Sequence, residues 1–318
     1  MNYLITGCAG FIGYHITQSL TNSGNNVVGV DNLNNYYNVK LKKDRLQLLK
    51  SKKFKFFKFN LNNKTKLKKI FSKYKFDYII HLAAQAGVRY SIDNPQKYIE
   101  SNILATTNLF EAIKKHKIKK VLVASSSSVY GTQKKKKFSE KFQTNTPLSF
   151  YAASKISTEN ISYYYSKHLN LPVSVLRFFT VYGPFGRPDM AYFKFTKNIL
   201  NNRSIDVYNY GKHYRDFTYI SDVVRFIRSI LKKKNSGFEV LNLGKGNPQS
   251  LKKFIEIIEK NLNIKAKKNY IDMQLGDVHG TFADISIFNK KYKTRPKVDL
   301  KQGIKLFVNW YKTYNKSR

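Results

Sequence analysis

The chain has 318 residues, of which 42% are hydrophobic and 24% charged, as in ordinary globular proteins with a sizeable core. It lacks any apolar run near the roughly 20 residues that span a bilayer, and its single cysteine, Cys8, excludes an internal disulfide. The formal charge of +39 could indicate a polyanion partner. Lysine is spread along the whole chain, however, without a zinc-finger, RNP or helix-turn-helix signature. We therefore expect a cytoplasmic protein with no membrane and no nucleic-acid partner.

The first half of the chain alternates short β-branched or aromatic runs with longer amphipathic runs. This alternation predicts parallel strands joined by crossover helices, an α/β fold with a doubly wound, Rossmann-type parallel sheet. The predicted strands are Asn2–Thr6, Asn26–Asp31, Phe54–Asn60, Asp77–Ala83, Lys120–Ser126 and Val173–Phe179. The predicted helices are Phe11–Ser23, Lys40–Lys50, Lys64–Lys73, Lys97–Lys115 and Phe150–His168.

After about Leu176 the pattern becomes irregular, which indicates a smaller C-terminal α/β lobe. We expect residues 1–176 to form the first domain, with later segments returning to it near 209–245, and residues 177–318 to form mainly the second lobe. The Lys134–Lys137 run predicts a solvated loop. After Leu176 we expect strands near Ile205–Tyr208 and Glu239–Leu243 and helices near Asp222–Leu231, Leu251–Asn261 and Leu300–Tyr314.

A glycine-rich run follows the first predicted strand and opens the first helix. Its three glycines, Gly7, Gly10 and Gly13, have the spacing G-x-x-G-x-x-G. Such glycines permit a tight turn, the approach of backbone to a pyrophosphate and close helix–strand packing. Asp31 ends the second predicted strand, where a carboxylate accepts hydrogen bonds from a ribose and repels a 2′-phosphate. The run therefore predicts a dinucleotide site that prefers NAD to NADP.

A tyrosine and a lysine lie four residues apart at the start of the predicted helix Phe150–His168. This spacing places Tyr151 and Lys155 on one helix face. A phenol with a pKa of about 10 is a poor base at neutral pH, but a nearby ammonium favours the phenolate. A half-buried Tyr beside a surface Lys is the alternative. The pair follows a strand ending in Ser125-Ser126-Ser127-Ser128, where doubly wound folds bind ligands, and this position favours catalysis.

These features together resemble the extended short-chain dehydrogenase/reductase family, whose members are mostly nucleotide-sugar epimerases, dehydratases and decarboxylases. The resemblance rests on the glycine turn, Asp31, His81-Leu82-Ala83-Ala84, the serine-rich strand end and Tyr-x-x-x-Lys. It is more specific for one subgroup, the UDP-glucuronate 4-epimerases. The strings that carry this closer resemblance are residues 85–91, 177–184, 186–191, 206–212, 215–220 and 273–278.

The resemblance implies that the chain binds NAD in its first domain and a UDP-sugar mainly through its second lobe. Tyr151 would then take the proton from the sugar 4-hydroxyl, Lys155 would lower its pKa and hold the nicotinamide ribose, and Ser126 would bond the same oxygen. A hydride leaves C4 for NAD and returns to the opposite face of the 4-keto sugar, so NAD stays bound. The cofactor contacts so implied are Gly7, Gly10, Phe11, Ile12, Gly13, Asp31, Asn32, Asn60, Leu61, Leu82, Ala83, Ala84, Gln85, Asn102, Tyr151 and Lys155.

The resemblance also implies a set of substrate contacts and a carboxylate-bearing sugar. Thr180 stands where neutral-hexose 4-epimerases usually carry Asn, and Arg187 is the candidate partner of the carboxylate. A surface ion pair with Asp189 is the alternative role of Arg187. Asn60 stands where the family commonly has Asp, which predicts an altered contact with the adenine. The substrate contacts so implied are Arg89, Ser127, Ser128, Thr180, Arg187, Tyr208, Arg215 and Asp277.

Other functions stay open on the sequence. A UDP-glucose/UDP-galactose 4-epimerase and a UDP-glucuronate decarboxylase share these motifs, whereas a 4,6-dehydratase would carry an acidic pair where Ser126–Ser128 stand. A catalytically silent NAD-binding or polyanion-binding protein is the alternative outside enzymes, and the intact Tyr151, Lys155 and Ser126 argue against it. No metal site is expected, because no His shows ligand-like spacing. The family implies a homodimer through a helix pair that includes Phe150–His168.

Overall fold

The computed structural model describes residues 1–132, 137–233, 237–274 and 276–316. Its strands, in chain order, are β1 (Asn2–Thr6), β2 (Asn26–Asp31), β3 (Phe54–Lys58), β4 (Tyr78–His81), β5 (Lys120–Ser126), β6 (Val173–Phe178), β7 (Thr180–Tyr182), β8 (Ile205–Tyr208), β9 (Tyr214–Arg215), β10 (Phe217–Tyr219), β11 (Phe238–Leu243), β12 (Gln249–Ser250) and β13 (Lys268–Ile271).

Its helices, in chain order, are α1 (Phe11–Asn22), α2 (Val39–Leu48), α3 (Lys64–Lys73), α4 (Tyr90–Asp93), α5 (Pro95–Tyr98), a π helix (Ile99–Leu104), α6 (Ala105–Ile113), α7 (Phe150–His168), α8 (Ala191–Leu200), α9 (Ile220–Lys232), α10 (Leu251–Leu262), α11 (Ser286–Tyr292) and α12 (Leu300–Lys316). Short 3-10 turns cover Ser127–Tyr130 and Asn209–Gly211.

A seven-stranded parallel sheet forms the centre of the structure, in the order β3-β2-β1-β4-β5-β6-β11. Strand order reverses between β1 and β4, which opens a crevice at the carboxyl ends of these strands. β6 is buried along its whole length, as expected of a parallel strand covered on both faces. The predicted doubly wound α/β fold is confirmed.

Helices cover both faces of this sheet. On one face, α3, α6 and α7 supply Phe71, Phe110 and Tyr165 to an apolar cluster against β4, β5 and β6. On the other face, α1 and α9 pack together, and their cluster continues into the second lobe through Phe217 and Phe254, which stack at 4.5 Å. The two lobes therefore share one continuous apolar core.

Several predicted elements have the bounds that the sequence indicated, among them β1, β2, β5, α3 and α7. The predicted helix Lys97–Lys115 is instead three pieces, because the π helix interrupts it. The short strands of the second lobe, such as β9 and β12, were not predicted, since two residues carry no periodicity. The division of the chain at residue 176 stays a prediction. In the predicted loop Lys134–Lys137, residues 134–136 lie outside the described residues.

Among the described residues, three two-stranded sheets lie outside the central sheet. β7 pairs with β10, β9 with β12, and β8 with β13. The described helices include none that is both long and apolar enough to cross a membrane. Within the described ranges, His, Cys, Asp and Glu side chains form no group of three or more that could hold a metal ion.

Candidate active site

A cleft of ≈ 930 Å³ opens between the carboxyl ends of the central strands and the second lobe. Both lobes contribute to its wall, from the glycine turn of the first to Asp277 of the second. Every site residue named from the sequence lines this cleft except Asn102. The fold thus brings together groups that are up to 270 positions apart in the chain (Gly7 and Asp277).

The glycine turn is shaped for close approach of a ligand and of neighbouring backbone. Gly7 has φ +74°, and a Cβ there would lie 2.7 Å from the nitrogen of Ala83. A Cβ on Gly13 would lie 2.0 Å from the carbonyl oxygen of Gly7. Helix α1 begins at Phe11, with Gly10 at its N-cap and no side-chain cap. Its first amide groups and the positive end of its dipole therefore face the cleft without a side-chain acceptor, which suits a diphosphate.

Asp31 is fixed at the carboxyl end of β2. Its Oδ2 accepts a hydrogen bond from the amide of Ala9 (3.2 Å) and its Oδ1 accepts one from the amide of Leu33 (2.8 Å). The carboxylate is buried and lines the cleft beside the glycine turn. This arrangement suits ribose hydroxyls and disfavours an added phosphate, so the residues present fit NAD.

Tyr151 lies in the first turn of α7, whose N-cap Ser149 accepts a hydrogen bond from the amide of Ala152 (3.1 Å). Burial raises the pKa of Tyr151, while a hydrogen bond with Ser126 and the positive charge of Arg187 act in the opposite direction. Ser126 Oγ in turn donates to Ser128 Oγ (3.1 Å). The strand end and the helix start therefore meet at the phenol hydroxyl.

Lys155 is buried one turn further along α7. Its Nζ donates to the carbonyl oxygen of Ala124 (2.9 Å). Burial lowers the pKa of Lys155 to about 8, and the negative charge of Glu159 opposes this shift. The groups that lower the pKa of Tyr151 here are Ser126 and Arg187. A further contribution from Lys155 stays a prediction, since its ammonium is directed to the strand.

Sequence reasoning missed a buried charge network directly behind Lys155. Glu159 accepts hydrogen bonds from Ser125 Oγ (2.5 Å), Arg177 Nε (2.9 Å) and Arg177 Nη2 (2.6 Å). The two charged side chains are only 8% and 5% exposed. Glu159 follows Lys155 by four residues, so its place on the same helix face was available as a signal.

Arg187 enters the cleft near Tyr151. Its Nε donates to Asp189 Oδ1 (3.0 Å) and its Nη2 to Asp189 Oδ2 (2.5 Å). Tyr36 also donates to Asp189 Oδ2 (3.2 Å). Although burial opposes it, the charge and hydrogen bonds of Arg187 lower the pKa of Asp189. The ion pair considered as an alternative therefore exists, but inside the cleft, where its side chains are 25% and 24% exposed.

The far end of the cleft combines aromatic and charged groups. The Arg89 guanidinium lies 4.5 Å from the centre of the Tyr208 ring. Arg215 Nη2 donates to Asp277 Oδ1 (2.6 Å). His213, which the sequence did not indicate, lines the cleft with its Nε2 3.6 Å from Asp277 Oδ2. Burial, with the charge of Arg215, lowers the pKa of His213, so its imidazole is neutral at pH 7.

Asn102 lies behind the cleft wall, on the π helix. Its Oδ1 accepts from the amide of Gln85 (2.8 Å), and its Nδ2 donates to the carbonyl oxygen of Gln85 (3.1 Å) and to Ser154 Oγ (2.8 Å). Asn102 thus joins the loop that follows β4 to the helix that carries Tyr151. Its expected direct contact with the cofactor stays a prediction, and the structure gives it a positioning role.

Comparisons with known proteins agree with this geometry. Residues 3–244 match the NAD dependent epimerase/dehydratase family. The chain is 46% identical to the UDP-glucuronate 4-epimerase of Thermodesulfobacterium geofontis over 98% of this chain and 96% of that one. It is 43% identical to UDP-glucuronate 4-epimerase 1 of Arabidopsis thaliana over 99% of this chain and 77% of that one. The crystal structure of the Bacillus cereus UDP-glucuronic acid 4-epimerase with UDP-glucuronic acid and NAD superposes with a TM-score of 0.94 at 36% identity, covering 99% of this chain and 100% of that one.

Proposed function

The chain belongs to the NAD dependent epimerase/dehydratase family, and from this premise we propose that it is an NAD-dependent 4-epimerase that interconverts UDP-glucuronate and UDP-galacturonate. The observation that carries the proposal is the meeting of Tyr151, Ser126 and Arg187 in one cleft with the glycine turn. We propose that these side chains act as a base, its hydrogen-bond partner and a cation for an acidic sugar, beside a dinucleotide site.

Tyr151 is the base of the proposed reaction. When bound, NAD would supply the hydride acceptor for C4 of the sugar and the hydride donor for its opposite face. The phenolate of Tyr151 takes the proton of the 4-hydroxyl, and Ser126 holds the same oxygen by a hydrogen bond. Because burial alone raises the pKa of Tyr151, the charge of Arg187 and the hydrogen bond with Ser126 are needed to bring the phenol toward the working pH.

Lys155 supports Tyr151 from the same helix face. Its Nζ bonds the carbonyl of Ala124, at the end of the strand that carries Ser126. The ammonium therefore lies between the strand and the helix that supply the two reacting side chains. Glu159 opposes the effect of burial on the pKa of Lys155 and so favours its charged form. We propose that this form holds the nicotinamide ribose and favours the phenolate.

The sugar carboxylate must be held away from the C4 carbonyl. Oxidation at C4 of a glucuronosyl group gives a β-keto acid, which loses CO₂ when the carboxylate bond aligns with the carbonyl π system. Fixed donors at Arg187, Thr180 and Ser127 would prevent that alignment. All three line the same cleft. Substitution of Arg187 or Thr180 should therefore raise UDP-pentose release, and unchanged product ratios would contradict this role.

The UDP group is proposed to bind at the far end of the cleft. Tyr208 offers a ring for the uracil, and Arg89 and Arg215 offer cations for the diphosphate and nucleoside. Asp277 orients Arg215 through their 2.6 Å hydrogen bond. Asn60 and Leu61, which follow β3, also line the cleft, and the adenine of NAD is proposed to bind beside them. The two nucleotides would thus converge on Tyr151 from opposite directions.

Arg187 and Asp189 form an ion pair in the structure, and Asp189 occupies Nε and Nη2 of the guanidinium. We propose that a substrate carboxylate competes with Asp189 for Arg187, which a neutral hexose would not do. UDP-glucose/UDP-galactose epimerisation and UDP-glucuronate decarboxylation are the alternative activities that a product assay distinguishes.

We also propose that the enzyme is a cytoplasmic homodimer that binds no nucleic acid. Support for the dimer comes from α7 and the π helix that packs against it, where Tyr164, Ile99 and Leu104 are exposed. Large exposed apolar side chains on neighbouring helices favour a protein partner. The reduced, buried Cys8 suits the cytoplasm. Equilibrium sedimentation tests the dimer, and Tyr164→Lys should shift it to monomer. Retention on DNA at physiological salt would contradict the absence of a nucleic-acid role.

The first experiment is incubation of the purified chain with UDP-glucuronate and no added NAD, followed by proton NMR. Appearance of UDP-galacturonate is the expected result, and Tyr151→Phe is the matched control that should abolish it. Release of a UDP-pentose would make the enzyme a decarboxylase. Reaction only with UDP-glucose or UDP-galactose would move the proposal to a neutral-hexose epimerase. No reaction with either sugar, even with NAD supplied, would overturn the enzymatic proposal.

A further inference from the structure

The segment that carries Arg187 is attached to the cofactor-binding half by polar contacts at three points. We call residues 184–189 the Arg187 loop. His15 Nε2 donates to Pro184 O (2.9 Å), Arg45 Nη2 donates to Phe185 O (2.7 Å), and Tyr36 donates to Asp189 Oδ2 (3.2 Å). All three donors come from the first 45 residues of the chain. The dinucleotide-binding half therefore helps to fix the position of the Arg187 loop, together with Tyr192 of α8, whose hydroxyl accepts a hydrogen bond from the amide of Arg187.

Arg45 is the residue that reaches the glycine turn and the Arg187 loop at once. Its Nη1 donates to the carbonyl oxygen of Ala9 (2.8 Å), inside the glycine turn, and to the hydroxyl of Tyr37 (2.8 Å). Its Nη2 donates to Phe185 O (2.7 Å) and Gly186 O (3.3 Å), inside the Arg187 loop. The planar guanidinium fork allows one side chain to bond both segments.

The surroundings of Arg45 indicate that it does more than fill space. The side chain has 0% exposure. In the part of the chain that the structure describes, no carboxylate lies within ion-pair distance of it. Burying a cation without a carboxylate is costly unless hydrogen bonds compensate, and here carbonyl groups of two functional segments supply them. A methionine or leucine would fill the same volume without that cost.

We propose that Arg45 is a positioning residue that fixes the Arg187 loop to the glycine turn, so that NAD binding and recognition of the sugar carboxylate are coupled. This inference rests on the proposed function for its substrate, but the coupling itself is a property of the two segments. A dinucleotide that orders the glycine turn also orders Ala9, and through Arg45 it orders Phe185 and Gly186. The backbone that carries Arg187 is then fixed when the guanidinium binds the sugar carboxylate.

Tyr36 makes a second contact that is independent of the glycine turn. Its hydroxyl bonds Asp189, the ion-pair partner of Arg187, and no hydrogen bond in the described structure joins Tyr36 to Ala9. Loss of this hydroxyl should loosen Arg187 without affecting the cofactor. Loss of the Arg45 guanidinium should affect both the position of Arg187 and the binding of the cofactor. Substitution of Tyr36 should therefore weaken carboxylate recognition alone, whereas substitution of Arg45 should weaken both carboxylate recognition and NAD binding. A general loss of stability would not produce this difference.

The test compares Arg45→Lys, Tyr36→Phe and the wild-type chain, with Arg203→Lys as the matched control at an exposed position. The first readout is hydrogen exchange of the backbone amides of Phe185, Gly186, Arg187 and Asp189 with and without NAD. NAD should protect these amides in the wild type and in Tyr36→Phe, and this protection should be lost in Arg45→Lys. The NAD retained on purification should fall about tenfold in Arg45→Lys alone.

The second readout is the ratio of kcat/KM for UDP-glucuronate to that for UDP-glucose. This ratio should fall about fivefold in both Arg45→Lys and Tyr36→Phe and stay unchanged in Arg203→Lys. Should Arg45→Lys fail to fold, Tyr37→Phe removes one acceptor of the fork and should weaken both properties in the same direction.

Equal NAD-dependent protection of residues 185–189 in the wild type and Arg45→Lys would overturn the coupling. Loss of protection without any change in the substrate ratio would also overturn it, since the loop would then be ordered without serving recognition. If the wild type acts on neither sugar nucleotide, the proposed function fails, while the exchange measurement still decides whether Arg45 links the two segments.

Discussion

Replacement of Glu159 by glutamine tests the buried network behind the candidate base. Glu159 accepts three hydrogen bonds from Ser125 and Arg177, and both charged side chains are more than nine-tenths buried. The amide keeps the shape but removes the charge, leaving the Arg177 guanidinium buried without its carboxylate. Breaking one partner of a buried pair costs about 3–5 kcal/mol. Tyr130, whose ring centre lies 4.8 Å from the guanidinium, compensates in part. We therefore expect a loss of about 3 kcal/mol.

Urea unfolding of the NAD-free chain measures this loss, and a double-mutant cycle separates its causes. Arg177→Met alone should also destabilise the chain, because Glu159 is then left buried and charged. The double variant Glu159→Gln, Arg177→Met should recover about 2 kcal/mol, since a buried pair replaced by neutral groups is often nearly as stable. Additive losses in the double variant would contradict the pairing.

The same substitution also alters the environment of Lys155. Burial lowers the pKa of Lys155 to about 8 and Glu159 opposes that shift, so the pKa should fall further in Glu159→Gln. The charged form is then lost at lower pH, and the alkaline limb of the kcat profile should move toward neutral pH. A purely structural role would lower stability without moving that limb. An unchanged urea midpoint together with an unchanged pH profile would refute the reasoning.

Further predictions concern the base, the nucleotide end of the cleft and acid stability. Tyr151→Phe should lower kcat about 10³-fold while the urea midpoint is retained, and substantial turnover would exclude Tyr151 as the base. Arg215→Met should raise KM for the UDP-sugar about tenfold with little change in kcat, because Arg215 is assigned to the UDP group and not to the reacting oxygen; a selective fall in kcat would contradict this assignment. Burial, with the charge of Lys155, lowers the pKa of His81 to about 3. Neutral His81 therefore stabilises the fold above its unfolded pKa of about 6.5, and this contribution is lost as pH falls toward 3. Between pH 7 and 5 the free energy of unfolding should drop about 2 kcal/mol more in the wild type than in His81→Gln, and parallel pH curves would argue against a neutral buried imidazole.

The sequence alone determined the features that depend on residues close together in the chain, such as the glycine turn and the helix face of Tyr151 and Lys155. The glycine spacing after β1 requires a tight turn, since side chains at Gly7 and Gly13 would collide with backbone. The period-4 relation of Tyr151 and Lys155 places them on one face of a helix, and α7 has the predicted bounds. Alternation of strands and helices was enough to predict the parallel sheet and the edge at which its ligands bind.

Tertiary structure alone decided which side chains work together across the chain. Glu159 meets Arg177, and Tyr36 meets Asp189, only because the order of strands and loops brings their elements together. Asn102 bonds the backbone of Gln85 from the π helix, a contact that only the tertiary structure shows, and its contact with the cofactor stays a prediction. In the sequence alone, Arg45 is indistinguishable from the other basic residues of its amphipathic helix. Its buried guanidinium donates hydrogen bonds to the carbonyl oxygens of Ala9 and Phe185, which are 36 and 140 positions away in the chain. No periodicity within a helix indicates contacts at such sequence separations.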